Sequence, residues 1–424
     1  MSYKLSGDLY RYDLKFKEPA MTSRGTYYTH TVWYPTIRFE DKVAIGECAP
    51  LPDLSCDFLC GGNTEEERTV SYESKLKELF AALFKSIPNN ASATELLAFE
   101  PDLSAFRNYP SAIFGAETLI AHLKSLIGIS EANKAAAAAG FSAKTVAAGA
   151  SHYGSVSSAI RPDLMLWDSP FSRNEQGIYI NGLIWMGDFE TMGARIKSKL
   201  EEGFRCIKLK IGAIDFDKEL ALLDYIRQRF SPQELELRVD ANGAFTPEEA
   251  PAKLEELSKF TLHSIEQPIK AGQYEAMAKL CANTPIPIGL DEEMIGINDL
   301  EQKKIMLDAI KPQYLVIKPS LHGGLQGTQE WLVLAKERGI KCWLTSALES
   351  TIGLNAIAQW VAMLNPSMPQ GLGTGALYTN NLATPMYIKD AKLNCDLNMD
   401  EVANYSDYLS EILQKEASHI ASFN

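Results

Sequence analysis

Three carboxylates carry the first chemical signal in this chain. Asp240 closes ELRVD, Glu266 closes LHSIE and Asp291 closes PIGLD, at separations of 26 and 25 residues. Each separation is about one strand-plus-helix repeat, so successive parallel strands would present one acid apiece at the same height. Like charges brought together repel unless a cation holds them. Three hard oxygen donors with no Cys or His beside them point to Mg²⁺, or Mn²⁺, with positions open for substrate oxygens.

Lysines flank the trio. Lys208 and Lys210 lie in IKLK, one repeat before Asp240, and a strand's period of two puts both on one face. Lys318 lies in YLVIKP, one repeat beyond Asp291 and about opposite the first pair. A lysine beside a bound cation loses part of its preference for the protonated form and can act as a base near neutral pH. One acid at a strand end is usually a helix cap, and a K-x-K pair is usually a solvated strand edge. A common phase held over five successive strands is what sets these residues apart.

Further polar residues follow from the same parity. Arg238 and Asn242 share the phase of Asp240 and should face the interior. An inward Arg needs a carboxylate partner, from the protein or from a substrate. Ser346 and Glu349 follow the seventh apolar run, and Gly371, Gly373 and Thr374 lie in GLGTG at the eighth. These are candidate substrate-side loops, although GLGTG fits a tight barrel-closing turn equally well. CDFLC has no second ligand pair for zinc, so Cys56 and Cys60 are expected as free thiols. His263 has the wrong parity against Glu266 and is expected to be structural; His322, just past Lys318, reads as a loop histidine, with a place at the barrel mouth as the alternative.

The elements that must position this set alternate regularly. YINGLIWMG, RCIKLKIG, ELRVDANG, LHSIEQP, PIGLDEE, YLVIKPS, KCWLTSA and QGLGTG are eight short strands, separated by amphipathic helical segments. Over about 200 residues this predicts an α/β fold, a modified (β/α)7β TIM-type barrel spanning 176–375, with chemistry at the strands' C-terminal rim. No strand-G-x-G-x-x-G-helix unit supports an open doubly wound sheet. Residues 1–125 read as an α+β capping domain: three alternating strands, a helix from Thr64 with Thr64 and Glu67 as a capping box, and a second helix over Ser111–Leu126. Residues 126–175 are rich in Ala, Gly and Ser and read as an insertion and linker, with an Ala-rich helix at its start. The tail, 376–424, is expected to pack on the cap.

The 424 residues allow two or three domains. With 41 Lys+Arg against 54 Asp+Glu, the net charge of −13 repels a phosphate backbone and argues against nucleic acid as a partner. No apolar run is read as long enough to span a bilayer, and the first residues lack a signal-peptide core, so no membrane role and a cytoplasmic location are expected. Seven scattered cysteines do not form a disulfide framework. A homo-oligomer is compatible with all of this.

In their order KLK, VDANG, IEQP, GLDEE and VIKP, these motifs resemble the enolase superfamily, in its muconate-lactonising-enzyme subgroup. TSALESTIGLNAIAQW and GLGTGALYTNN are similar to the o-succinylbenzoate synthases within it, and AIGECAPLP and FGAETL fit the capping unit. The resemblance implies a small-molecule carboxylate substrate and Mg²⁺ held by Asp240, Glu266 and Asp291. It further implies Lys210 as the base that takes the α-proton, then as the acid that assists loss of the hydroxyl. Lys208 would lie near the substrate carboxylate, and Lys318 on the opposite face. Arg24, in TSRGTYY, becomes a candidate for a distal carboxylate because the family's cap closes over the substrate. The implied activity is syn-dehydration of a cyclohexadiene carboxylate in menaquinone biosynthesis. Racemisation of N-succinyl amino acids or epimerisation of dipeptides is the alternative, and a non-catalytic scaffold the remote one. The Ala/Gly-rich segment near 130–158 departs from the pattern without touching the catalytic motifs.

Overall fold

The computed structural model describes residues 2–22, 25–88, 90–138, 162–185, 187–212, 214–397 and 405–424. Arg24 and most of the Ala/Gly-rich segment lie outside them. Seven parallel strands form one sheet in sequential order: Gly182–Ile184, Cys206–Lys210, Glu236–Asp240, Ser264–Glu266, Ile288–Leu290, Tyr314–Ile317 and Lys341–Leu344. The eighth run contributes no regular strand. Instead Gln370 pairs in parallel with Ile180, and Gly371 with Thr345, so two residues join the first strand to the seventh. The close approach needs glycine: a Cβ on Gly371 would stand 2.2 Å from Thr345 Oγ1.

Alternation within strands sorts the barrel. In Cys206–Lys210, Ile207 and Leu209 join the apolar cluster that includes Leu222, Leu223 and Ile226 of the following helix, Phe216–Arg227. Lys208 and Lys210 take the opposite, inward face. The register then aligns the chemistry, with Lys210 opposite Asp240 and Asp240 opposite Glu266 on adjoining strands.

The cap contains an antiparallel sheet in which Ser418–Phe423 pairs with Ser6–Thr22, followed by Gly25–Phe39 and Lys42–Ile45. The chain's last strand thus enters the cap, while the earlier tail hairpin, Met386–Lys389 and Lys392–Cys395, pairs with Ile178–Tyr179. Helix Glu65–Ser86 starts at Thr64 with both halves of the expected capping box formed. Helix Pro110–Ala138 is longer than expected and carries through the first Ala-rich residues.

That helix also corrects the hydropathy reading. Within Pro110–Ala132 an 18-residue window reaches a mean hydropathy of 1.4, and the stretch is by length and composition apolar enough to cross a membrane. Most of that apolar surface is buried in the protein: Phe114, Leu119, Leu123 and Ile127 are core residues.

Two cap carboxylates, Glu47 buried and Glu117 half-buried, fix cap to barrel. Glu47 accepts hydrogen bonds from Ser350 N at 2.7 Å, Ser350 Oγ at 2.6 Å and Gly353 N at 2.6 Å, at the start of helix Thr351–Met363. Glu117 accepts from the backbone N–H of Leu325 and Gln326, in the first turn of helix Gly324–Glu337. Each meets backbone N–H groups that a helix start leaves without internal partners. Burial nevertheless raises both carboxyls to about 7, against those hydrogen bonds.

Candidate active site

Lys208, Lys210, Asp240 and Lys318 meet at the C-terminal rim of the barrel, around a cavity that Asn242, Ser346, Gly371, Gly373 and Thr374 also line. Lys208 Nζ lies 2.6 Å from Glu266 Oε2 and 3.0 Å from Asp240 Oδ2. Lys210 Nζ lies 3.2 Å from Asp240 Oδ2 and donates to Asn242 Oδ1 at 2.8 Å. Lys318 Nζ pairs with Asp291 Oδ2 from the far side of the ring. Lys210 and Lys318 thus approach one space from the second and the sixth strands.

The turns that hold these groups explain the longer motifs. After Asp240 the chain reverses through Asn242 and Gly243, with φ of 44° and 72°, a region that glycine and asparagine tolerate best. Asn242 N donates to Asp240 Oδ1 at 3.0 Å, and its amide donates to Glu292 Oε1 at 2.9 Å. Gln267, beside Glu266, clasps the next strand's turn. Its Oε1 accepts from Asp291 N at 3.3 Å and Glu293 N at 3.2 Å, and its Nε2 donates to Glu293 Oε2 at 2.9 Å.

Burial works against every charge here, and the partners decide the outcome. Lys208 and Lys318 are held above the usual lysine range because nearby carboxylates outweigh desolvation. Asp240 and Asp291 are held below the carboxylate range by the lysines, again against burial. Glu266 goes the other way, raised by burial and by the charge of Asp240.

The donor set fits a divalent cation. Glu266 Oε1 and Asp291 Oδ1 are buried and make no hydrogen bond among the described residues. Buried anionic oxygens of that kind are costly unless a cation or donor meets them. Among the described residues no three acidic, His or Cys side chains converge on one point, because the carboxylates are turned onto the lysine ammoniums. The cavity is correspondingly small, about 90 Å³. A larger groove of about 1020 Å³ lies between helices Ala250–Ser258 and Tyr274–Asn283 and contains none of the candidate residues.

Comparison with known proteins agrees with this geometry. Residues 191–394 match the family model described as enolase C-terminal domain-like. An o-succinylbenzoate synthase of Desulfotalea psychrophila is 44% identical over 387 residues, covering 89% of this chain and 95% of that protein. The chain belongs to the o-succinylbenzoate synthase family of the enolase superfamily. The crystal structure of MenC from Desulfotalea psychrophila LSv54 matches with a TM-score of 0.68 at 38% identity, covering 93% of this chain and 100% of that one. Muconate lactonizing enzyme from Pseudomonas fluorescens, solved with muconolactone, shares the fold at 20% identity and a TM-score of 0.68, covering 98% of this chain and 100% of that one.

Within this family site, two expected substrate residues belong elsewhere. Arg238 does point inward, but two residues below Asp240. There it pairs with Glu236 at 2.7 Å, donates to Pro369 O at 3.0 Å and lies 4.3 Å above the Trp343 ring. The protein, not a substrate, supplies its carboxylate. Glu349 is wholly buried, accepting from Ser320 Oγ and from Ala347 N at 2.7 Å, so it shapes the loop beneath the cavity instead of lining it. Ser346 and Thr374 do line the cavity, joined hydroxyl to hydroxyl.

Several lining residues escape a reading by charge and parity. Tyr27, Leu51 and Leu54 come from the cap, and Asn181, Leu183 and Trp185 from the first barrel strand. The apolar ones look like ordinary core in sequence. Leu183 and Trp185 could have been found by extending the alternation of YINGLIWMG to that strand's inner face. Tyr27 lines the cavity from the cap, while Arg24 lies outside the described residues. The seven cysteines, Cys56 and Cys60 included, are free thiols.

Proposed function

We propose that the chain is a Mg²⁺-dependent o-succinylbenzoate synthase, dehydrating 2-succinyl-6-hydroxy-2,4-cyclohexadiene-1-carboxylate. The observation that carries the reading is the pair Lys210 and Lys318, facing one cavity from opposite sides above three strand-end carboxylates. Mn²⁺ would satisfy the same oxygen donors. A divalent cation held by Asp240, Glu266 and Asp291 would supply positive charge to the substrate carboxylate.

Acting as the base, Lys210 takes the α-proton, and the negative charge moves onto the carboxylate oxygens as an enediolate. Lys210, now an ammonium on the same face, returns a proton to the departing hydroxyl, which leaves as water. One C–H and one C–O bond break, a ring double bond forms, and the ring becomes aromatic. Asn242 holds the Lys210 amine by its Oδ1, and Lys208 stands beside the substrate carboxylate. Lys318, kept charged by Asp291, faces the enediolate from the other side and stabilises it. Ser346, Thr374 and the backbone of Gly371 and Gly373 border the substrate, with Arg24 and Tyr27 contributed from the cap. A cytoplasmic location and a place in menaquinone biosynthesis belong to the same reading.

Two lysines on opposite faces would also permit racemisation. Purified protein is therefore given the cyclohexadiene substrate and, separately, one enantiomer of an N-succinyl amino acid. Rapid appearance of the aromatic product by ultraviolet absorbance, with racemisation slow or absent, is the expected result. Racemisation without dehydration would replace this assignment with the racemase.

A further inference from the structure

His322 lies four residues after Lys318, in the turn KPSLHGG leading into helix Gly324–Glu337. The ring is fully buried, and the turn holds it in place. Gly323 and Gly324 have φ of 102° and 73°, and a Cβ on Gly327 would stand 2.8 Å from the His322 carbonyl. His322 Nδ1 accepts the backbone N–H of Lys318 at 2.9 Å, so this nitrogen carries no proton. A neutral imidazole then bears its hydrogen on Nε2.

Nε2 makes no hydrogen bond among the described residues and faces Asp291, whose Oδ1 is 3.9 Å away. Asp291 Oδ1 is itself buried without a partner. A donor and an acceptor therefore stand buried and unsatisfied opposite one another, less than 1 Å beyond hydrogen-bonding range. We propose that His322 is the positioning residue for Asp291, its Nε2–H donating to Oδ1 when the carboxylate turns from Lys318 onto a divalent cation. One ring then ties the metal ligand of the fifth strand to the backbone of Lys318 on the sixth. The inference rests on the proposed metal site, and groups that orient metal ligands typically contribute about 10- to 100-fold in metal affinity.

Two substitutions separate the ring's roles. His322→Asn keeps an acceptor near the Nδ1 position and removes the distal N–H. His322→Gln can return an N–H near Nε2. Titrating Mg²⁺ into substrate-free protein by calorimetry, H322N should bind about 10- to 100-fold more weakly than wild type, and H322Q should recover most of the loss. Thermal denaturation without metal should show H322N folded. In ¹⁵N-histidine NMR of wild type, the Nε2–H resonance should move downfield on Mg²⁺ addition, a readout that needs no variant. Wild-type affinity in H322N, equal losses in both variants, or an unmoved Nε2–H resonance would overturn the role. Failure of wild type to bind Mg²⁺ would overturn the metal reading itself, and His322's role with it.

Discussion

Asn242 accepts a hydrogen bond from Lys210 at 2.8 Å and passes the link on to Glu292 through its own amide at 2.9 Å. The amine that takes the substrate proton is thereby aimed by a residue at the reversal after the third barrel strand. The Lys210 amine gains charge as it takes the proton, and a hydrogen bond to a charged group contributes about 1.5–3 kcal/mol, or roughly 10- to 100-fold in rate. Asn242→Ala should lower kcat by that factor with KM little changed, measured by steady-state kinetics. A rise in KM with kcat intact would make Asn242 a substrate contact instead.

Lys318 approaches from the opposite side, charged and paired with Asp291. If it stabilises the enediolate, Lys318→Ala removes one preorganised positive group, a loss of about 10²- to 10³-fold in kcat by analogy with a single oxyanion donor. Substrate binding, measured separately by calorimetry, should weaken far less.

Arg238 makes the contrary case. Its guanidinium is committed to Glu236, Pro369 and the Trp343 ring, below the cavity. Arg238→Met should destabilise the fold by about 3 kcal/mol, the low end for breaking a buried pair because Glu236 keeps some solvent contact. KM should be unchanged at temperatures where the variant is folded. A large KM effect would return Arg238 to the substrate.

Glu47 predicts a pH effect on stability. Its carboxyl titrates at about 7 in the folded protein against an ordinary 4.5, mainly because it is buried. Between those values the folded state holds the extra proton, so the free energy of unfolding falls as pH rises, by on the order of 3 kcal/mol from this group. Denaturant titrations at pH 5 and 7.5 should show wild type losing stability across the interval and Glu47→Gln losing less. Equal slopes would show that Glu47 does not carry the effect.

How far the sequence revealed this depended on the kind of signal. Lys208, Lys210, Asp240, Glu266, Asp291 and Lys318 were legible because charges interrupt apolar strands at a fixed repeat, and the register brings them together as the spacing requires. Arg238 shows where parity stops: it gives a side chain's face but not its height, and two residues of height separate the cavity from the core beneath it. The eighth strand was legible as a segment, yet it is reduced to Gln370 and Gly371, and at Gly371 only a glycine fits against Thr345. Glu47 and Ser350 lie far apart in the chain, and no local pattern announces their contact. Leu51 and Leu54 were hidden for another reason, since an apolar residue facing a cavity has the same sequence signature as one facing the core.

The most direct test of the central claim is the rate of aromatic product formation with Mg²⁺, with a chelator, and with Lys210→Ala in the presence of Mg²⁺. The account predicts rapid turnover that is abolished by chelation, restored by Mg²⁺, and reduced about 10²- to 10⁴-fold by K210A, the usual range for losing a general base. Full turnover in chelator, or K210A as fast as wild type while folded, would contradict it.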